Sequence, residues 1–351
     1  MIGKMMLAGA LAVVSLGFTS AVHAQSAKQV TVYMYSEYID PVMIKEFEKL
    51  TGQKCKIDVY ENSEEMLAKV QQGGGDRQYD VIVVSDAHVP TLVKLGLVQK
   101  LDKGQLPNAK NVDAQFANPP FDPGMVYSLP YQWGTVGLIY NKEKVKGELS
   151  WDLVFDAAKQ PGPFILMDSM RDTLGIGLRY KGFSMNSTNP AEIKAASDAI
   201  LQAKQSGKCL GFEGGVGGKN RVQAGEATLA VVYNGDAIRA TTEDKKLGFA
   251  VPKEGGIIWV DVMLIPSKAP NPAGGLAFMN YILDAKAGAQ LSNFNKYPTP
   301  NKASMATIND EDKKNPAVYP PEEIMKKLEY LSDVGANTKL YDEAWTKIKA
   351  Q

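Results

Sequence analysis

The chain has 351 residues, with 39 basic and 39 acidic side chains, two histidines and two cysteines. That balance, without any basic block, gives nucleic acid nothing to hold. The scarcity of histidine argues against serine triads, papain-like dyads and most zinc sites, which need one histidine or several.

The first residues read as an export signal. Lys4 precedes the apolar run "MMLAGALAVVSLGF" and the small-residue stretch "TSAVHA", ending near Ala24. The run is short for a membrane helix, so a cleaved secretory signal over residues 1–24 is expected, with an uncleaved anchor as the alternative. Cleavage removes Lys4 and His23, which leaves 38 basic against 39 acidic residues and a single histidine, His88. His88 is expected on the surface or in a loop. No cysteine stands at the cleavage point, which argues against a lipid anchor. About 327 residues remain, more than one typical core, so two lobes are expected.

The mature chain alternates strands and helices. "QVTVYMY" reads as a strand. Asp40 caps a helix "PVMIKEFEKLTG", with Pro41 in its first turn and Gly52 at its end. "CKIDVYE" is a second strand. "SEEMLAKVQQG" is a helix capped by Ser63 and stopped by Gly73 to Gly75. The continuous apolar run "YDVIVVS" is a strand buried on both faces. The helix "VPTLVKLGLVQKL" follows. A second such region starts near "VGLIYNKEKV" and contains "PFILMD", "PAEIKAASDAILQAK", "ATLAVVYNGDAIRAT" and "LGFAVP". After "GGIIWVDVMLIP" comes one long amphipathic helix, "AGGLAFMNYILDAKAGAQLSNF". The tail segments "PEEIMKKLEYLSD" and "KLYDEAWTKIKA" are read as helical. The Gly-rich "EGGVGGKN" lacks the Lys-Ser/Thr of a phosphate loop and reads as a mobile loop. Strands alternating with helices predict an α/β fold built on an open sheet. Cys55 falls in the first region and Cys209 in the second, so two unpaired thiols are expected.

One strand carries an anomaly. Asp261 interrupts the apolar run from Ile257 to Ile265, and a bare carboxylate in a core strand costs several kcal/mol unless it is paired. Side chains alternate along a strand, so Trp259 and Asp261 share one face. Ligands in open α/β sheets collect at the carboxyl ends of strands. Those ends supply Tyr35, Ser36, Glu37, Tyr38, Ser85, Asp86, Tyr131, Trp133, Asp168, Ser169, Asp172, Tyr233 and Asp236, and the loop "NKYPTPN" supplies Tyr297. Aromatics and acids recur there, with Arg171 as the basic exception. Aromatic faces attract ammonium groups, and carboxylates give them charge-assisted hydrogen bonds, so the set suits an organic cation. For Glu37 and Asp86 a plain structural role competes with that reading.

The order of "SEYI", "YDVIVVS", "LPYQWGT", "PKEGGIIWVD", "YPTPN" and "YPPEE" resembles the periplasmic polyamine-binding proteins, the spermidine/putrescine receptors of ABC importers. The resemblance covers nearly all of the mature chain. It implies the type II periplasmic binding protein fold, with two α/β lobes and a ligand cleft between them. Residues 25–136 plus 263–303 would form one lobe, and 137–262 plus 304–351 the other. It implies a non-enzymatic periplasmic protein that binds putrescine or spermidine, needs no cofactor or metal, is monomeric and not membrane-embedded, and partners an inner-membrane permease. Carried over by position, the ligand contacts would be Tyr35, Ser36, Tyr38, Ser85, Asp172, Tyr233, Asp236, Trp259, Asp261 and Tyr297. Tyr35 and Tyr233 replace family tryptophans. Ser169, Ala87 and Leu331 depart from polar or aromatic residues of other members. Trp259 leans toward spermidine, and Asp236 with Ser169 toward putrescine. A polyamine sensor of the same fold, or a secreted glycosidase using two acids, are the competing readings.

Overall fold

A computed structural model describes residues 29–351 except Gly73 and Gly215. The segment read as an export signal lies outside the described residues. No helix among the described residues is long and apolar enough to cross a membrane.

The first region folds as β1 (Gln29–Tyr35), α1 (Pro41–Thr51), β2 (Lys54–Tyr60), α2 (Ser63–Gln71), β3 (Val81–Ser85) and α3 (Val89–Lys94). Asp40 caps α1 by accepting from the Val42 amide at 2.9 Å, and Gly52 closes it in the left-handed conformation at φ 70°. The cap of α2 is Asn62, which accepts from the Glu65 amide, rather than the expected Ser63; the Ser63 hydroxyl instead meets the Tyr35 hydroxyl at 2.7 Å. The expected helix after β3 is only six residues long, because the chain turns at Leu95 and Gly96 and bridges from Val98 to Pro266.

The second region contains β4 (Ser128–Asn141), β5 (Phe164–Met167), α4 (Met170–Tyr180), α5 (Pro190–Lys204), β6 (Cys209–Glu213), α6 (Gly217–Gln223), β7 (Leu229–Tyr233), α7 (Asn234–Glu243), β8 (Leu247–Ala250) and β9 (Gly256–Leu264). From Gly217 onward the Gly-rich segment is helical, which corrects the loop reading. The long helix expected after β9 is two helices, α8 (Pro272–Ile282) and α9 (Ala285–Asn295). Asp284 breaks it, because its side chain accepts from the amides of Lys286 and Ala287 and starts a new helix. Within the tail, "LEY" forms β10 (Leu328–Tyr330) against the start of β9 instead of a helix turn. The chain ends in α10 (Thr338–Ala350).

The sheet path runs β2-β1-β3-β9-β4-β7-β5-β6. β1, β2 and β3 are parallel, as are β5, β6 and β7. The two parallel sets meet through β9 and β4, which pair antiparallel with each other. β4 changes partner partway along: up to Thr135 it pairs with β9, and from Val136 it pairs with β7 and β8. Pro130 cannot donate to a ladder, and the register between β4 and β9 shifts there. The shift is where Tyr131 reaches Tyr38, its hydroxyl donating to the Tyr38 carbonyl at 2.7 Å. Helices cover the sheet, and one apolar core runs from Val30 and Phe47 to Leu229 and Ile348, with a smaller cluster around Ile139, Ile165 and Val232. Cys55 and Cys209 are both free, and burial pushes the Cys55 thiol up to about 12.

Candidate ligand-binding cleft

The alternation along β9 assigns its side chains to two cavities. Trp259 and Asp261 line a cleft of about 650 Å³. Val260 and Val262 line a second, smaller cavity behind it of about 290 Å³. All ten residues carried over by position lie on the wall of the larger cleft. They come from the carboxyl ends of β1, β3 and β7, from the first turn of α4, from α7, from β9, and from the loop after α9.

The aromatic members form a continuous edge-to-face series. Tyr233 meets Trp259 with ring centres 5.7 Å apart, and Trp259 meets Tyr297 at 5.2 Å. Tyr297 meets Tyr38 at 5.6 Å with planes at 90°, and Tyr38 meets Tyr35 at 5.8 Å. Edge-to-face contact suits ring quadrupoles. Two glycines make this packing possible. A side chain on Gly134 would bring its Cβ within 2.4 Å of Trp259 Cζ2, and one on Gly235 within 2.6 Å of the Tyr297 ring.

Asp261 is 6 % exposed. It pairs in register with Ser85 of β3 and with Gln132 of β4, so it stands at the centre of the sheet. Its Oδ2 accepts from the Tyr38 hydroxyl at 2.7 Å. Among the described residues no cation pairs with it. Burial pushes its carboxyl up to about 7, the Tyr38 hydrogen bond opposes that rise, and the charge of Asp172 adds to it. Arg171, the basic residue expected nearby, lines the cleft but does not pair with Asp261. It donates to the Ser332 carbonyl and Asn186 Oδ1 and stacks on Tyr341.

Asp172 is also buried, and burial raises its carboxyl. Its Oδ2 accepts from Ser169 and, at 3.1 Å, from the Tyr233 hydroxyl. Asp236 differs from both, because it has a cationic partner: Arg239 Nη2 donates to Oδ1 at 2.7 Å, while the Tyr297 hydroxyl donates to Oδ2 at 3.0 Å. Ser85 donates to Asp86 Oδ1 at 2.9 Å, and Ser36 donates to Glu61 at the rim.

Asp86, for which the sequence left a structural role in competition, lines the cleft. His88 lines it too, and Arg239, Gly134 and Gly235 touch its residues, none of them having been read as site residues. Asp86 is 3 % exposed and is pushed up to about 8, chiefly by burial and then, against its hydrogen bond from Ser85, by the nearby charge of Asp261. His88 lies in the short turn between β3 and α3, half-buried on the cleft wall, where burial pushes its imidazole down to about 4 and keeps it neutral. Arg239 lies within a helix turn of Asp236, and that spacing was its available signal. Gly134 and Gly235 gave none, since their constraint comes from rings distant in sequence. Among the described residues, no group of three His, Cys, Asp or Glu is arranged to hold a metal.

Two sets of parallel strands joined by antiparallel crossing strands, with a cleft lined from both, define a two-lobed solute-binding protein of the type II periplasmic fold. The chain belongs to the bacterial extracellular solute-binding proteins, whose family pattern matches residues 42–320. It is 34 % identical over 348 residues to the spermidine/putrescine-binding periplasmic protein of Escherichia coli strain K12, covering 99 % of this chain and 97 % of the relative. It is 34 % identical over 375 residues to the putrescine-binding periplasmic protein SpuD of Pseudomonas aeruginosa strain UCBPP-PA14, covering 99 % and 98 %. Among solved structures, a putative spermidine/putrescine ABC transporter protein from Listeria monocytogenes superposes with a TM-score of 0.84. The two are 31 % identical, and the match covers 92 % of this chain and 99 % of that one.

Proposed function

We propose that this protein captures a polyamine, putrescine or spermidine, in the periplasm and delivers it to an ABC permease, without catalysing a reaction on it. The observation that carries this reading is Asp261: a deeply buried carboxylate with no cationic partner among the described residues, set in an aromatic enclosure. An ammonium group seated there would neutralise the charge, and the rings would hold the methylene chain and attract the cation. The ten cleft residues are the proposed contacts, with Asp172 and Asp261 as the ammonium receivers. Export through a cleaved leader and action as a monomer belong to the same reading.

We take residues 25–136 plus 263–303 as one lobe and 137–262 plus 304–351 as the other. This division is supported by the change of partner in β4 at Thr135 and Val136, and by β9, which pairs with β10 at its start and with β3 at its end.

Titration calorimetry against putrescine, spermidine, agmatine, γ-aminobutyrate and a sugar panel tests the function. The reading expects micromolar or tighter binding of at least one polyamine and none of the sugars. Binding of a sugar alone would overturn it.

A further inference from the structure

Four buried carboxylates line the cleft, and the protein treats them differently. Asp86 is tied to its own turn, its Oδ1 accepting from the Ser85 hydroxyl and the Ala87 amide. Asp261 and Asp172 each use Oδ2 to accept hydroxyl donors, and among the described residues Oδ1 of each accepts no hydrogen bond. Asp236 has both oxygens engaged, Oδ1 by the Arg239 guanidinium and Oδ2 by the Tyr297 hydroxyl. Its charge is therefore already matched by a cation of the same chain, three residues along α7.

Arg239 is held from a second side. The same Nη2 donates to Glu37 Oε2 at 3.0 Å, and Glu37 lies in the turn after β1 with φ 53°. A non-glycine residue in that region is uncommon, and the turn presents Glu37 toward the mouth of the cleft. Arg239 thus spans Glu37 of one lobe and Asp236 of the other, as the lobes are divided above. Its side chain is 18 % exposed, so the pair with Asp236 is largely shielded from water.

We propose that Arg239 is a built-in cation that occupies Asp236 and sets how many ammonium groups the cleft accepts. The inference rests on the polyamine reading and deepens it. Asp86 has its Oδ1 engaged by its own turn and is held largely protonated near neutral pH by burial, so Asp172 and Asp261 remain to receive the two ends of a diamine. A third ammonium finds Asp236 engaged and has to displace a guanidinium anchored on both sides. Carried over by position, Asp236 counts as an amine contact; in this chain the cation at Asp236 is the Arg239 guanidinium. The cleft therefore selects a diamine over a triamine, and Arg239 is the specificity determinant.

Calorimetry with putrescine and spermidine on the full-length mature protein tests this, using wild type, Arg239→Met and Arg239→Lys. Wild type binds putrescine at least as tightly as spermidine. Arg239→Met keeps the stem, uncovers Asp236 and shifts the affinity ratio toward spermidine by about tenfold or more, as expected when a shielded carboxylate gains a charged partner. Arg239→Lys keeps a cation and holds the ratio within about threefold of wild type, whereas a merely structural role would not distinguish charge from shape. An unchanged ratio in Arg239→Met overturns the inference. So does a wild-type protein that binds spermidine about tenfold more tightly than putrescine, a result that needs no variant to fold. If neither amine binds at millimolar concentration, the polyamine reading itself fails and takes the inference with it.

Discussion

Asp261→Asn isolates the charge at the centre of the cleft. Asn has the same shape, and its Oδ1 can still accept from the Tyr38 hydroxyl that lies 2.7 Å from the native carboxylate. What disappears is the partner of the ligand ammonium. Removing one member of a buried charge pair typically costs ~3–5 kcal/mol. With the carboxyl at about 7, ionising it at pH 7 offsets only a few tenths of a kcal/mol of that. The dissociation constant should therefore rise by roughly two to four decades. The same group gives a pH signature. Between pH 8 and pH 6 its ionised fraction falls from about nine-tenths to about one-tenth, so wild-type affinity should weaken about tenfold on acidification. Asp261→Asn should flatten most of that slope, leaving the part that Asp86 contributes. Stability without ligand moves the opposite way. The folded carboxyl titrates at about 7 and the ordinary value is 3.8, so the folded state binds more protons and loses stability as pH rises across that window. The largest loss is about 4 kcal/mol, at about 1.4 kcal/mol for each pH unit. Asp261→Asn should therefore raise the melting temperature at pH 8, by a margin that shrinks toward pH 4. Calorimetry at pH 6, 7 and 8, with melts at pH 4 and 8, reads all three effects. Near-native affinity with an unchanged pH slope would refute the reasoning. A melting temperature that collapses at pH 8 would point to a structural ion pair instead.

Trp259→Ala should weaken amine binding by about 1–2 kcal/mol, less than Asp261→Asn, because it removes ring contact rather than charge; a larger loss in calorimetry would reverse that ranking. Gly134→Ala should lower the melting temperature and the affinity together, since its Cβ would lie 2.4 Å from Trp259 and overpacking costs ~1–3 kcal/mol. An unchanged variant would mean the indole can retreat without consequence. Saturating ligand should reduce the radius of gyration in small-angle scattering, because the cleft draws residues from both parallel-strand sets; identical profiles with and without ligand would argue against closure.

The local rules of the chain were legible in the sequence because they act over a few residues. The alternation along β9 put Trp259 and Asp261 on one face, a consequence of the two-residue period of strands. Asp40 and Gly52 marked the ends of α1 for reasons of capping and left-handed geometry. The carboxyl ends of strands collected most of the expected tyrosines and acids into one place, because ligand clefts in such sheets form there. Tyr131 and Trp133, read as strand ends, lie inside β4 and off the cleft wall, bonded to the Tyr38 and Thr299 carbonyls. Where a competing local interaction existed, the reading failed: Asp284 could cap a new helix, and so one long amphipathic pattern became α8 and α9. The rest depended on neighbours far apart in the chain. β10 is a strand because the start of β9 offers it a partner. The Trp259 indole can pack against β4 as closely as it does only because residue 134 has no side chain. Three acids acquire different roles, since Asp172 and Asp261 meet hydroxyls while Asp236 meets a guanidinium that Glu37, in the turn after β1, also holds. A carboxylate's availability to a ligand is set by the charges packed around it, and only the tertiary structure decides which those are.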